Sequence, residues 1–506
     1  MTPRLPAPRG PVLSIIAPLA LLVAFIAWAF ASPVASSPDE DYHLTSIWCA
    51  QGEREGICLD GPTADTRMVW DELVSTHPCY AFSEAESAAC SDAPHRMVES
   101  DRGNFTGAYP PVYYVAMSVF ASENIESSVI AMRITNAVIF VGLGSALFFL
   151  LRGASRGPLV WGALISVVPL GMFLIPSLNP SSWAITAAVL LWISLYSFLT
   201  ETELRRRILF GVIAGLATVM ASGARADAAI YSGLAAVLAV ILSFRRTKNF
   251  LFLAILPVAL SIVAFLFFRA TGQSAIVDPG SSPGTANSAE QTQHILELNL
   301  VRLPALWSGS LGTSGLGWLD TPLPPLTWVA AMSIFFAVVF WGLQRMDVRK
   351  GLALAVVGFG LIAIPLYILT HDQVLLPQYV QPRYVFPLLI VLAGVALLGF
   401  RRNDFDLGRT QIWVMAALLA IANAAALHTN LRRYVSGSDR NGFNLNEGAE
   451  WWWDIPRGPM AMWLIGTLAF SVALVAIVVW SRIPVALVTD VADDENADAD
   501  STAARA

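Results

Sequence analysis

The residues best equipped for chemistry lie together. Ser37-Pro38-Asp39-Glu40-Asp41-Tyr42-His43 places three carboxylates and a histidine within five positions, directly after the first long apolar segment. A carboxylate beside a membrane is partly desolvated, which lifts its pKa toward a value useful for taking a proton from a hydroxyl. Asp39 and Glu40 are therefore the candidate general bases. Asp39, Asp41 and His43 also offer donors that suit a divalent cation. A second candidate stands far along the chain. Arg383, followed by Tyr384, opens a later apolar segment at the depth of a lipid phosphate, and its planar fork can grip a phosphate with two bonds. Arg225 is a further cation at a segment end, with Asp227 two residues on as its natural partner. Trp318 and Asp320, in a glycine-rich loop, pair a stacking face with a hydrogen-bonding carboxylate and could contact a substrate. Tyr113, in Tyr109-Pro110-Pro111-Val112-Tyr113-Tyr114, is a substrate contact or an interfacial anchor.

These residues need a scaffold, and the composition says which kind. The chain has 506 residues, is 56% hydrophobic and 13% charged, and has a mean hydropathy of +0.60. Soluble proteins carry about twice that charge fraction. Repeated apolar runs near the bilayer-spanning length predict an all-α polytopic membrane protein. Twelve spans are expected, at about 12–31, 128–151, 158–176, 181–200, 208–222, 227–244, 250–268, 326–343, 351–370, 384–400, 411–428 and 460–481. The first is read as an uncleaved span rather than a signal peptide. Basic residues gather in the short loops, at Arg205-Arg206-Arg207, Arg245-Arg246 and Arg401-Arg402 among others. Alternating twelve spans puts all of these loops on one face with Arg4 and Arg9. That face is expected to be cytoplasmic, with both termini on it.

Everything long then falls on the opposite, extracytoplasmic face, in loops 32–127, 269–325, 371–383 and 429–459. Residues 1–11 form a short cytoplasmic start, 12–481 the transmembrane domain, and 482–506 an acidic disordered tail. The stretch 272–287, rich in Gly, Ser and Pro, reads as mobile. A short amphipathic helix is expected from about Glu40, and a second, too short to span, after Tyr114. Cys49, Cys58, Cys79 and Cys90 share one polar loop without a close CxxC pair, so disulfides are favoured over zinc, with three pairings open. The charge pattern offers no nucleic-acid surface.

Several motifs together carry a resemblance. PDEDYH after the first span, YPPVYY before the second, GWLDTPLP before a later one and QPRYVFPLL opening another resemble domain-of-unknown-function family 2142 of bacterial membrane proteins, over most of residues 12–430. That family is grouped with the GT-C glycosyltransferases. The resemblance implies a GT-C-like fold in the bacterial plasma membrane. It also implies a sugar moved from a polyprenyl-phosphate donor to a cell-envelope glycan or lipid acceptor on the outer face, with Asp39-Glu40 at the catalytic position, and it allows a Mg or Mn ion on Asp39, Asp41 and His43, since some enzymes of that architecture use one. The family often has an aspartate after the Asn-Pro of the turn between spans three and four; here Ser181 follows Asn179-Pro180. The competing classes are a transporter or flippase of lipid-linked glycans and a non-catalytic assembly protein. A transporter would place ionisable residues near the bilayer midplane and show internal repeats; here mid-span charges are nearly absent, no repeat links the halves, and the polar residues collect at the outer rim.

Overall fold

The computed structural model describes residues 10–74, 78–90, 95–272, 289–377 and 380–483. Most of the 272–287 stretch and the acidic tail lie outside them. The chain is an all-α polytopic membrane protein. Among the described residues ten helices are long and apolar enough to cross a bilayer, from Val12–Phe30 to Pro459–Ser481.

Two of the twelve expected spans differ from the rest. The segment expected at 158–176 forms two pieces, Arg156–Val167 and Leu170–Leu174. Pro169 breaks it, because proline lacks an amide proton and pushes the preceding residue to extended backbone; Val168 has φ −93° and ψ 126°. The segment expected at 384–400 is a helix of only 15 residues, Pro382–Ala396. At about 1.5 Å per residue it falls short of a ~30 Å hydrocarbon core. Both pieces are largely buried inside the bundle, so protein rather than lipid covers their ends. They touch closely: a Cβ on Gly162 would lie 2.8 Å from the Gly394 Cα. Small residues permit such backbone approach between helices.

The connections sort to two ends. The short basic loops join one another, as in Arg152–Glu203 at 2.7 Å and Arg345–Asp406 at 3.3 Å. The long connections meet at the other end. There a three-stranded antiparallel sheet forms from β1 (Leu59–Asp60), β2 (Arg67–Trp70) and β3 (Met97–Ser100), in the order β1-β2-β3. Two disulfides staple this region, Cys49–Cys58 and Cys79–Cys90. Of the three possible pairings, the chain uses the one that joins sequence neighbours. The expected short helices are present at Glu40–Trp48 and Val112–Met117. The first is buried on nearly every side rather than amphipathic, because the long connections cover it.

Candidate active site around Asp39

The site begins with eight residues of irregular backbone, 31 to 38, between the first span and the Glu40–Trp48 helix. Irregular backbone at a membrane boundary must satisfy its carbonyls, and here side chains from distant elements do so. Asn430 Nδ2 donates to the Ala31 carbonyl at 2.8 Å and to Ser32 Oγ at 2.9 Å. Arg133 donates to the Ala29, Ser32 and Pro33 carbonyls at 3.1, 2.6 and 2.7 Å. Tyr80 Oη serves Val34 at 2.5 Å, Trp318 Nε1 serves Ala35 at 3.0 Å and Tyr434 Oη serves Ser36 at 3.3 Å. The Pro38 carbonyl accepts from both Asn179 Nδ2 at 2.8 Å and Arg383 Nη1 at 3.0 Å.

This strap delivers Asp39 in a left-handed conformation, φ 61° and ψ 17°, immediately before the helix. Ala35 is also left-handed, at φ 64°. Left-handed backbone is unfavourable for residues other than glycine, although aspartate tolerates it better than most. A residue stays there only when its surroundings over-determine it, and the strap's bonds supply that constraint.

Arg383 and Asp39, 344 residues apart in sequence, meet: Arg383 Nη2 donates to Asp39 Oδ2 at 2.5 Å. On the other side Arg102 Nη2 lies 3.6 Å from Asp39 Oδ1 and binds Asp41 with two nitrogens. Tyr384 lies beneath two guanidinium groups, with Arg383 5.2 Å and Arg225 4.6 Å from its ring centre. Arg225 pairs with Asp227 through two 2.9 Å bonds. Tyr42, His43, Tyr109 and Tyr114 form a cluster of ring contacts on the same side. The Asp39 side chain keeps 37% of its surface exposed, whereas Arg383 keeps 3%. Among the described residues, buried atoms here without a partner include Ser37 Oγ, His43 Nε2, Arg225 Nη1 and Arg383 Nε.

Electrostatics revises the expected base. Burial does push the Asp39 carboxyl up, but the adjacent Arg383, helped by Arg102, more than cancels it, and its pKa lies below the ordinary carboxylate value. Asp39 is thus a firmly ionised carboxylate in the free protein, not a desolvated one with a raised pKa. Burial holds His43 neutral by pushing its pKa from 6.5 to about 3.

The other expected residues have different surroundings. Glu40 points away from Asp39 into an ion pair with Arg133 at 3.0 Å, with side chains 0% and 1% exposed, and accepts the Ser37 amide at 2.7 Å. It locks the strap and presents no free carboxylate. The Asp39, Asp41 and His43 set does not converge as a metal site. Asp41 is taken by Arg102, His43 Nδ1 shares a 2.9 Å hydrogen bond with the Tyr114 hydroxyl, and the described residues hold no group of three or more His, Cys, Asp or Glu placed for a cation. These residues do not fit the Mg or Mn ion that the resemblance allows.

Asp320 neither faces open space nor starts the next span, which Pro324 precedes. It is buried, paired with Arg433 at 3.0 Å, and accepts the Phe82 and Trp318 amides. Trp318 holds Ala35 rather than offering a platform. The glycine-rich loop is closely approached, but by the chain itself. At Gly317, with φ 60°, a Cβ would sit 2.6 Å from Asp320 Oδ1 and 2.7 Å from Tyr434 Oη. Tyr113 is buried against Trp183 and hydrogen-bonded to Asn136, one layer behind the cluster, not at a lipid interface.

Sequence reasoning passed over Arg102, a lone arginine in a polar loop, and the only signal for Arg133 was its position just inside a span. The sequence profile of the family described as Predicted membrane protein (DUF2142) matches residues 22–393. The chain belongs to that family. The DUF2142 match takes in the strap and Arg102, Arg133, Asn179, Arg225, Asp320 and Arg383, and ends before Arg433. No match was found among curated proteins.

Proposed function

We propose that this DUF2142 protein is a GT-C-type membrane glycosyltransferase. It would move a sugar from a polyprenyl-phosphate donor to a cell-envelope glycan or lipid acceptor at the extracytoplasmic face of a bacterial plasma membrane. Both termini would lie in the cytoplasm, as the loop arginines indicate. The observation that carries the reading is the Asp39–Arg383 pair, held on a strained strap among buried donors that lack partners.

In this reading the donor phosphate competes with Asp39 for the Arg383 fork. The Arg225 Nη1 and Arg383 Nε groups, orphaned in the free protein, become its ligands. Loss of Arg383 returns the carboxylate to a more ordinary pKa just when an acceptor hydroxyl needs a base. Asp39 takes the hydroxyl proton, the acceptor oxygen bonds the sugar's anomeric carbon, and the carbon–phosphate oxygen bond breaks. The electron pair leaves on the phosphate, stabilised by the guanidinium charge. Glu40 takes no part beyond holding the strap.

The test is a panel of polyprenyl-phosphate sugars offered to the purified protein and to Asp39→Asn and Arg383→Lys. Donor turnover by the wild type that both variants lose supports the reading. Turnover that survives Asp39→Asn removes Asp39 as the base. A panel that stays inert throughout, with lipid-linked glycan crossing the membrane of proteoliposomes, favours the flippase.

A further inference from the structure

A cleft of about 530 Å³ opens among the sheet, the start of the short Asp71–Val74 helix and the Asp41–Arg102 ion pair. Its size falls in the range of small-molecule sites, roughly 300–1,000 Å³. Two features tie it to the site above. Asp41 forms part of its lining with a side chain 3% exposed, and is held there by Arg102. Arg102 in turn reaches Asp39 at 3.6 Å. A single arginine therefore separates the cleft from the candidate base.

The lining chemistry is one-sided. Among the described lining residues Glu99, Asp101 and Asp71 contribute carboxylates, the last paired with Arg96 outside the lining, Thr66 and Ser100 contribute hydroxyls, and Arg102 is the one cation. That cation is already engaged by Asp41 and by Asp39. Ionised carboxylates only accept hydrogen bonds. They suit a ligand that donates many, and they repel one that carries its own acids. Sugars supply rows of hydroxyl donors, and Glu99 and Ser100 of the lining stand on strand β3.

We infer that this cleft binds the acceptor, and that the acceptor is a hydroxyl-rich glycan free of uronate and phosphate groups. The inference rests on the transferase reading for the word acceptor, but the binding site stands or falls by itself. A sugar chain in the cleft would direct its terminal hydroxyl past Arg102 toward Asp39. Arg102, which binds Asp41 in the lining and lies 3.6 Å from Asp39, marks that route.

The experiment is calorimetric titration of the full chain in nanodiscs, without donor, using a neutral gluco-oligosaccharide and an oligogalacturonate of equal length. The wild type should bind the neutral oligomer and bind the acidic one at least tenfold more weakly. Glu99→Gln with Asp101→Asn, both at exposed positions where folding is not at stake, should weaken neutral-oligomer binding about tenfold or more. Absence of neutral-oligomer binding, equal binding of the acidic oligomer, or binding indifferent to the Glu99/Asp101 change would each overturn the proposal. If the donor panel is inert yet the neutral oligomer binds through Glu99 and Asp101, the transferase reading fails and the cleft remains a glycan site.

Discussion

Asp39 and Glu40 are adjacent and chemically alike, yet their surroundings assign them opposite tasks. Asp39 is more than one-third exposed and faces two arginines, while Glu40 is sealed against Arg133. Asp39→Asn should therefore lower turnover by about 100-fold or more while leaving the fold intact, as loss of a general base does. Glu40→Gln should instead cost about 3–5 kcal/mol of stability, because it leaves the Arg133 charge buried without its partner. Thermal unfolding in detergent, run beside donor turnover, separates the two. Because Arg383 and Arg102 depress the Asp39 pKa, Asp39 is ionised throughout the neutral range. Its contribution to stability is complete above the unfolded value and is lost only as pH falls through the depressed one. His43 gives the stronger pH signature. Its neutral form is favoured by burial, with Asp39, Arg383, Arg225 and Arg102 as the nearby charges and the Tyr114 hydroxyl on Nδ1. The unfolded chain takes up that proton first. Stability should therefore be full above about pH 6.5 and should fall toward pH 3, by up to about 1.4 kcal/mol per pH unit. Comparing unfolding midpoints of wild type and His43→Gln between pH 7 and about 4.5 reads out this difference, and an unchanged slope in the variant would refute it.

At the scale of elements, the strap converts remote helices into positioning devices for Asp39. The Asp320–Arg433 pair pins the glycine-rich loop to the helix Arg409–Ser436 and to the loop at Phe82. From that loop Trp318 reaches Ala35. Trp318→Phe removes one buried donor and leaves the Ala35 carbonyl unmet, so a loss of about 1–3 kcal/mol is expected in unfolding. It should also lower turnover without raising the donor KM in proportion, since the altered quantity is the placement of Asp39 rather than donor contact. Asp320→Asn should be harsher for stability, since Arg433 is fully buried. The short helix Pro382–Ala396 has a related role. Its first turn carries Arg383, buried in the protein interior, to the Asp39 carboxylate.

For the whole molecule, the two disulfides and the two-ended distribution of loops make a testable pair. Cys79–Cys90 closes the loop that carries Tyr80, which anchors the strap at Val34, and Phe82, which donates its amide to Asp320. A closed loop of that length contributes about 3 kcal/mol. Cys79→Ser with Cys90→Ser should lower the unfolding midpoint and weaken turnover together. Reporter fusions at the short loops, such as the one holding Arg205-Arg206-Arg207, should report the cytoplasm, with fusions in 32–127 reporting the opposite side. Inverted reporter results would move the proposed active face inside.

What the sequence determined by itself is the part governed by composition and period. Apolar runs of bilayer length gave the polytopic helical class, the clustered cysteines gave disulfides, and PDEDYH marked the stretch at the heart of the site. The number of full-length spans was less legible, because Pro169 and the 15-residue Pro382–Ala396 helix depend on burial by neighbours that hydropathy does not see. Only the tertiary structure joined Asp39 to Arg383, turned Glu40 to Arg133 and set Asp320 against Arg433. A carboxylate's chemistry is decided by which charge lies within a few ångströms and how much water is excluded. Those are properties of contacts hundreds of residues apart in the chain, which no local pattern of residue types encodes.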